Sequence, residues 1–176
     1  SSDLIPVGVY RDRNKEAISL NLKHPKGLEL LLDLIRTADA VTENFSPGTM
    51  DRMGIGYDVL KAINPKIVYA SVSAFGQTGS YRHHRGYDIL AQARTGFASV
   101  TGFPEDPPTR AGNSITDYYA GLLSAFSILS AIRHADKTGY GQTIDIALFE
   151  GLFMTLEGYA ERVLNNNETP TRLGMD

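Results

Sequence analysis

The chain has 176 residues, of which 42% are hydrophobic and 21% are charged, proportions typical of a globular protein. Its formal net charge of −3 argues against a general nucleic-acid binder, which needs a basic excess, but leaves a small anionic ligand open. The absence of cysteine excludes disulfides, thiolate metal sites and cysteine nucleophiles.

The first half of the chain alternates strand and helix patterns. Residues 18–22 alternate apolar and polar side chains, as a half-buried strand does. Pro25 suits the first turn of a helix, and apolar side chains recur at helical spacing through residues 25–37. We also predict a strand at 40–43, short helices at 47–53 and 57–63, and a β-branched strand at 66–73.

The second half continues the same alternation. We predict a helix at 87–99, a proline-rich loop at 102–112, a long helix with many small residues at 116–134, a strand at 143–148 and a last helix at 149–164. Strands that alternate with helices indicate an α/β fold in which a largely parallel sheet is flanked by helices. The polar tail from Asn165 onward indicates the end of the packed unit or the start of a connection.

Glycine and histidine clusters suggest two kinds of site that the local pattern does not favour. The segment 54–56 lacks the third glycine of a dinucleotide-binding turn, and the segment 76–79 is followed by a poor helix start, so both favour turn glycines. His83 and His84 are adjacent, and adjacent side chains in an extended loop point to opposite sides, which argues against a shared metal. Contact with an anion and a solvated loop both fit the basic residues 83–85.

Asp117 stands where the long helix is predicted to begin. Its spacing alone favours a cap or first-turn acid, whose charge complements the helix dipole. The alternative is a carboxylate nucleophile that forms a covalent acyl intermediate. The small residues that follow it would allow another backbone or a ligand to approach closely. These local patterns leave both interpretations open.

Five segments in order along the chain resemble class III CoA-transferases, the CaiB/BaiF family. The first, V-T-E-N-F-S-P-G at 41–48, matches the family pattern V-x-E-N-F-x-P-G and continues through 51–54. The others are 64–79, 86–93 with Gly96 and 101–102, 107–112 leading to Asp117 and Gly121, and 137–142.

The resemblance implies the Rossmann-like large domain of a CoA-transferase at 1–164, incomplete relative to the family, with 165–176 starting a linker toward a small domain. It places the catalytic aspartate at Asp117, which would carry aspartyl-anhydride and aspartyl-CoA thioester intermediates. CoA and acyl-CoA would be substrates, with no tightly bound cofactor and no metal.

The resemblance also implies a set of CoA contacts. Among them, Lys23, Arg52 and Arg85 suit the phosphates, because charge-assisted hydrogen bonds are strong. The full set is Leu20, Asn21, Leu22, Lys23, Asn44, Phe45, Ser46, Arg52, His84, Arg85, Gly86 and Tyr87.

Two alternatives remain beside the transferase. The family includes α-methylacyl-CoA racemases, which place a histidine before the aspartate of a G-H-D segment, whereas this chain has Tyr87 before Asp88. Tyrosine, with an ordinary pKa of about 10, is a poor base at neutral pH, so transfer is preferred. The second alternative is an inactive, truncated CoA-binding fragment.

The expected partners are an acyl-CoA, a small carboxylic acid and a second copy of the chain in an interlocked homodimer, also implied by the resemblance. No nucleic acid is expected. No uninterrupted apolar run reaches the ~20 residues that span a bilayer, and the first residues lack a signal-peptide pattern, so neither a membrane nor export is expected. We expect the cytoplasm, or the mitochondrion or peroxisome in a eukaryote.

Overall fold

Three short strands form a parallel sheet in a computed structural model that describes residues 12–174. The strands are β1 (Ala40–Glu43), β2 (Val68–Ser73) and β3 (Thr143–Ala147), and β2 lies in the centre. Both strand pairs are parallel, with Glu43 opposite Ser71 and Ser71 opposite Asp145. The predicted α/β class with a parallel sheet is therefore confirmed.

Helices connect the strands, because parallel neighbours need a crossover rather than a tight turn. The connection from β1 to β2 contains two helices, and the connection from β2 to β3 contains three. In chain order the helices are α1 (Pro25–Ile35), α2 (Thr49–Arg52), α3 (Tyr57–Ile63), α4 (Asp88–Thr95), α5 (Phe97–Val100), α6 (Ile115–Thr138), α7 (Leu148–Phe153), a 3₁₀ turn (Met154–Leu156) and α8 (Tyr159–Asn166).

Two clusters of buried side chains flank the sheet. Side chains alternate along β2, so Tyr69 faces one cluster while Val72 packs against the other. Each fully buried aliphatic side chain stabilises the fold by about 1.5–3 kcal/mol. The first cluster contains Ile35, Met50, Ile55, Leu60, Ile67 and Tyr69. The second contains Ala74, Ala91, Ala120, Ile146 and Leu148.

The long helix α6 turns its small side chains inward and its large ones outward. Its buried residues are Thr116, Ala120, Ser124, Ala131 and Ala135. Leu122, Phe126 and Leu129 are exposed by 68%, 71% and 69%. By length and composition alone α6 could cross a membrane, and its small-residue face packs against the sheet.

Several element predictions need correction. Residues 18–22 form no strand, because alternation sets a period but a strand also needs a neighbouring backbone, and β1 pairs only with β2 in the described part of the chain. The predicted helix 87–99 is divided at Gly96, whose φ is +89°, and the predicted helix 149–164 is divided near Glu157, whose φ is +51°. The long helix runs to Thr138, four residues beyond its predicted end, and Gly139 terminates it in a left-handed conformation.

The C-terminal tail folds back onto the proline-rich loop. Helix α8 extends to Asn166, past the predicted boundary at 164, and the Arg172 guanidinium then donates to backbone carbonyls of that loop. The acceptors are the loop carbonyls of Phe103, Pro104 and Asp106, together with the Ser99 carbonyl of α5, at 2.6–3.2 Å. The division at 164 stays a prediction, and its residues 1–11 and 175–176 lie outside the described ones.

Candidate active site

A cavity of about 340 Å³ opens beside the carboxyl ends of β1 and β2. In open α/β sheets ligands bind at this edge of the strands. The loop after β1, the end of β2 and the segment 82–87 line the cavity. Seven of the residues predicted to contact CoA meet there: Asn44, Phe45, Ser46, His84, Arg85, Gly86 and Tyr87.

A second cavity of about 360 Å³ shares a wall with the first. Ser46, Arg82, His84 and Arg85 line both, and the second cavity adds Arg52. Together the two cavities form what we call the basic cleft. Arg52, which lies in the first family segment, and Arg85, which directly precedes the third family segment, both line the second cavity.

The cations of the basic cleft are available to an anion. In the described part of the chain, no carboxylate forms an ion pair with Arg52, Arg82 or Arg85. The same part of the chain contains no group of three His, Asp or Glu side chains that could hold a metal ion. The arginines of the cleft suit a phosphate-bearing ligand.

Local contacts hold Arg52 in place at the end of α2. Its Nη2 donates to Thr49 Oγ1 at 2.8 Å, and its Nη1 donates to the Pro47 carbonyl at 3.5 Å. On the other wall, Arg82 Nε donates to His83 Nε2 at 2.9 Å. These bonds direct both guanidinium groups within the second cavity.

Aromatic packing positions the wall formed by residues 81–87. The Tyr81 and His84 rings lie 5.1 Å apart, and both approach Phe75 at the end of β2. The Arg94 guanidinium of α4 lies 5.0 Å from the Tyr81 ring centroid, a cation–π contact. This cluster ties the basic wall to both the sheet and α4.

Gly86 allows this wall to approach the sheet closely. A Cβ atom at position 86 would lie 2.5 Å from Ala74 Cβ, which real Cβ atoms do not tolerate. The glycine is thus a packing requirement at a predicted CoA contact. The next residue, Tyr87, is 61% exposed and directly precedes α4.

The opposite wall is positioned by Glu43 at the end of β1. Its Oε2 accepts from the Phe45 backbone N–H at 2.7 Å, and its Oε1 accepts from the Tyr69 hydroxyl at 3.4 Å. Burial raises the pKa of Tyr69 to about 12, so the phenol stays protonated and remains a donor at neutral pH. Glu43 therefore orients the loop that carries Asn44, Phe45 and Ser46.

Asp117 lies in the first turn of α6, as its spacing indicates. It is exposed and lines neither cavity of the basic cleft. The mechanism expected from the resemblance needs protection from water, and this chain by itself leaves Asp117 accessible. Its catalytic role stays a prediction.

Buried hydrogen bonds join the start of α6 to the cleft wall. Asp88 Oδ1 accepts from both the backbone N–H and the hydroxyl of Thr116, at 2.9 and 2.7 Å. Asp88 follows Tyr87, which lines the cleft, and Thr116 precedes Asp117. The Asp88–Thr116 hydrogen bonds therefore connect the cleft wall at Tyr87 to the predicted nucleophile Asp117, because each of these two residues is the sequence neighbour of one bonded residue.

The segment 20–23 does not contribute to the basic cleft. None of its four residues lines either cavity, and Leu22 packs against the first core cluster. The Lys23 backbone N–H donates to Asn21 Oδ1 at 3.1 Å, which closes a local turn before α1. Contact of Leu20, Asn21, Leu22 and Lys23 with CoA stays a prediction.

Sequence reasoning misses three residues of this region. Arg82 lines both cavities, and it adjoins the basic run 83–85, which is a usable signal. Asp88 and Gln92 form a buried polar pair at i, i+4 spacing in α4. Two polar residues at helical spacing also fit an exposed helix face, so their burial is not visible in the pattern.

Known proteins with similar sequences are CoA-transferases. The family model described as CoA-transferase family III matches residues 7–176. An acyl-CoA transferase of Fusarium pseudograminearum is 50% identical over 79% of this chain and 30% of its own length. An acetyl-CoA:oxalate CoA-transferase of Acetobacter aceti is 41% identical over 94% of this chain and 43% of its own length.

A solved structure supports the fold over nearly the same range. The crystal structure of a CaiB/BaiF family protein from Brucella suis superposes with a TM-score of 0.88 and 38% identity, covering 93% of this chain and 43% of that one. This chain spans less than half the length of these relatives. Both named enzymes are transferases, which leaves the racemase alternative without support. The chain belongs to CoA-transferase family III.

Proposed function

We propose that this chain provides the CoA-binding cleft and the acyl-carrying aspartate of an enzyme that moves CoA from an acyl-CoA to a free carboxylic acid. One observation carries the proposal: the basic cleft is joined to the helix start at Asp117 through Tyr87, Asp88 and Thr116. A transferase needs these two parts, because the thioester to be attacked lies at the far end of the CoA molecule from its phosphates.

The charges of the basic cleft support binding of the CoA phosphates. Arg52, Arg82 and Arg85 present planar guanidinium groups, which match phosphate oxygens with two parallel hydrogen bonds. Phe45, which is 45% exposed, offers an apolar surface beside them. In this proposal the phosphates lie in the second cavity, and the pantetheine arm runs along the first toward Tyr87.

The proposed reaction is a relay on the Asp117 carboxylate. An Asp117 oxygen attacks the thioester carbonyl of the donor, the carbon–sulfur bond breaks, and a mixed anhydride and CoA thiolate result. The thiolate attacks the aspartyl carbonyl, which breaks the anhydride, releases the donor acid and leaves an aspartyl-CoA thioester. The acceptor carboxylate then reverses these steps and departs as its CoA ester. No water, proton or redox partner is consumed overall.

The position of Asp117 at a helix start suits this chemistry. The N-terminal dipole of α6, a helix of 24 residues, favours the ionised and nucleophilic carboxylate. Backbone N–H groups of the same turn are candidates for stabilising the oxyanion that develops in each step. Because Asp117 is exposed in this chain, water must be excluded by bound substrate and by protein surface that packs over the helix start.

Covalent trapping in the intact protein tests this proposal. Incubation with an acyl-CoA, followed by peptide mass analysis, is expected to show an acyl or CoA adduct on Asp117. The Asp117→Ala variant is expected to lose the adduct and to lower kcat by ~10³-fold or more. The matched control is Asp58→Ala, which removes another exposed first-turn aspartate. An adduct on a different residue, or full activity of Asp117→Ala, would refute the proposal.

We further propose that two copies assemble into the interlocked homodimer that the family resemblance implies. The support in this chain is the exposed apolar face of α6, defined by Leu122, Phe126 and Leu129. Globular proteins rarely leave a contiguous apolar face of this kind in water.

A further inference from the structure

A buried polar network lies at the start of α6, and the proposed relay does not use it. Asp88, Gln92 and Thr116 are exposed by only 6%, 0% and 0%. Burying three polar side chains is costly unless each is hydrogen-bonded, and here each one is. Such a network specifies one arrangement of the segments it connects.

Gln92 forms hydrogen bonds to the loop that precedes α6. Its Oε1 accepts from the Ala111 backbone N–H at 2.7 Å, and its Nε2 donates to the Asn113 carbonyl at 3.4 Å. The same Nε2 donates to Asp88 Oδ2 at 2.7 Å. One side chain of α4 thus fixes the approach to α6 and orients the Asp88 carboxylate.

Asp88 does for α6 what a local cap would ordinarily do. The preceding Ser114 makes no side-chain capping bond, although serine is a preferred residue at that position. Asp88 instead accepts the Thr116 backbone N–H from across the helix interface. The side-chain cap of the first turn of α6 therefore comes from α4 rather than from Ser114, and Asp117 follows Thr116 directly.

We propose that Gln92 and Asp88 are positioning residues that set the location of the Asp117 carboxylate for attack on the thioester. This inference rests on the proposed function, because it assumes that Asp117 is the nucleophile. The contacts hold the chain leading into Asp117's turn, at 111, 113 and 116, so that turn cannot shift independently of α4. A misplacement of ~1 Å at a reacting group can cost about a hundredfold in rate.

The hydrogen-bond pattern predicts that two single variants fail for the same reason. In Asp88→Asn the new amide N–H₂ faces the Gln92 N–H₂, so two donors oppose each other. If the Gln92 amide turns over, its N–H₂ then faces the Ala111 N–H, and one bond is lost in either orientation. In Gln92→Glu a second carboxyl group lies against Asp88, so the two groups either repel each other or hold an extra shared proton that the unmodified pair does not carry.

The double variant Asp88→Asn with Gln92→Glu restores the pattern with donor and acceptor exchanged. The new amide at position 88 keeps its oxygen for Thr116 and donates to the new carboxylate at position 92, whose second oxygen still accepts the Ala111 N–H. Only the 3.4 Å bond to the Asn113 carbonyl is lost. We expect each single variant to slow formation of the Asp117 adduct by ~10- to 100-fold, with KM for acyl-CoA changed less than ~3-fold. The double variant should recover to within ~5-fold of the unmodified protein.

The control is Ser124→Ala, which removes a buried hydrogen bond of α6, from Ser124 Oγ to the Ala120 carbonyl, away from the helix start. It should leave the adduct rate unchanged even if it lowers the melting temperature. If the single variants do not fold, Thr116 provides a second test. Thr116→Val loses only the hydroxyl donor and should slow formation of the adduct, whereas Thr116→Ser keeps the hydroxyl and should form the adduct at the unmodified rate.

Each outcome assigns a failure to one of the two proposals. If the unmodified protein forms its adduct elsewhere than on Asp117, the proposed function fails. If the adduct forms on Asp117 and both single variants match Ser124→Ala, only the positioning role fails. The positioning role also fails if the single variants are slow but the double variant does not recover.

Discussion

The arginines of the basic cleft differ in how their neighbours hold them. Arg52 donates to Thr49 Oγ1 within its own helix, at 2.8 Å, and to the Pro47 carbonyl. A guanidinium that is already directed loses less side-chain entropy when it meets a phosphate. Arg82 is directed instead by its neighbour His83, at 2.9 Å. We therefore choose substitution of Arg52 to test phosphate binding.

We expect Arg52→Ala to raise KM for acyl-CoA by ~10-fold or more while kcat stays within ~3-fold, because phosphate contacts act equally on bound substrate and transition state. Arg52→Lys should recover only part of the loss, since lysine lacks the planar fork. Initial rates across acyl-CoA concentrations provide the measurement. Arg133→Ala, an exposed arginine of α6, is the control. A fall in kcat equal to the rise in KM would contradict a role confined to binding.

Some site residues follow from sequence and others depend on burial. Arg52 and Tyr87 follow from ordered family segments, His84 and Arg85 from the loop directly before the third segment, and the structure brings all four to one cleft. Gln92 does not, because a glutamine in a helix is ordinarily solvated and only the packed structure shows it fully buried.

Between elements, the tail and the proline-rich loop stabilise each other. The loop 102–112 contains no helix or strand, so its carbonyl groups are open to side-chain donors. Arg172 supplies donors to four carbonyls at 2.6–3.2 Å, those of Ser99, Phe103, Pro104 and Asp106. The same loop leads to Ala111, which Gln92 holds.

We expect Arg172→Ala to lower the free energy of unfolding by about 1–3 kcal/mol, because several carbonyls lose a charged donor at once. Denaturant unfolding of the intact protein measures this value. Arg162→Ala removes an exposed pair with Glu168 and should change the free energy of unfolding far less. Equal effects of the two variants would show that the Arg172 contacts add nothing beyond a surface charge.

Element predictions succeed where a pattern has a single solution. Strands β1 and β2, predicted at 40–43 and 66–73, are predictable because they contain β-branched residues and because turn signals mark their ends. The divisions at Gly96 and Glu157 are not, because helical periodicity continues across a single residue of positive φ. Residues 18–22, whose pattern predicts a strand although they form none, show that alternation of apolar and polar side chains is not sufficient without a neighbouring strand to pair with.

For the molecule as a whole, charge and apolar surface are distributed unevenly. The net charge is −3, yet three arginines and two histidines meet in the basic cleft. The local cluster, rather than the total charge, therefore sets the electrostatic potential that an anion would meet at the cleft. On α6, Leu122, Phe126 and Leu129 form an apolar face on the side away from the sheet.

We expect Phe126→Asp to convert the proposed dimer into a monomer, because a charge buried in an apolar interface is strongly unfavourable. Light scattering coupled to size-exclusion chromatography gives the mass of each form. Ile18→Asp is the matched control, since Ile18 is 70% exposed and lies outside α6. Its dimer should persist. If the unmodified protein is monomeric at every concentration, the α6 face serves packing within one molecule, and Phe126→Asp should then lower stability without changing mass.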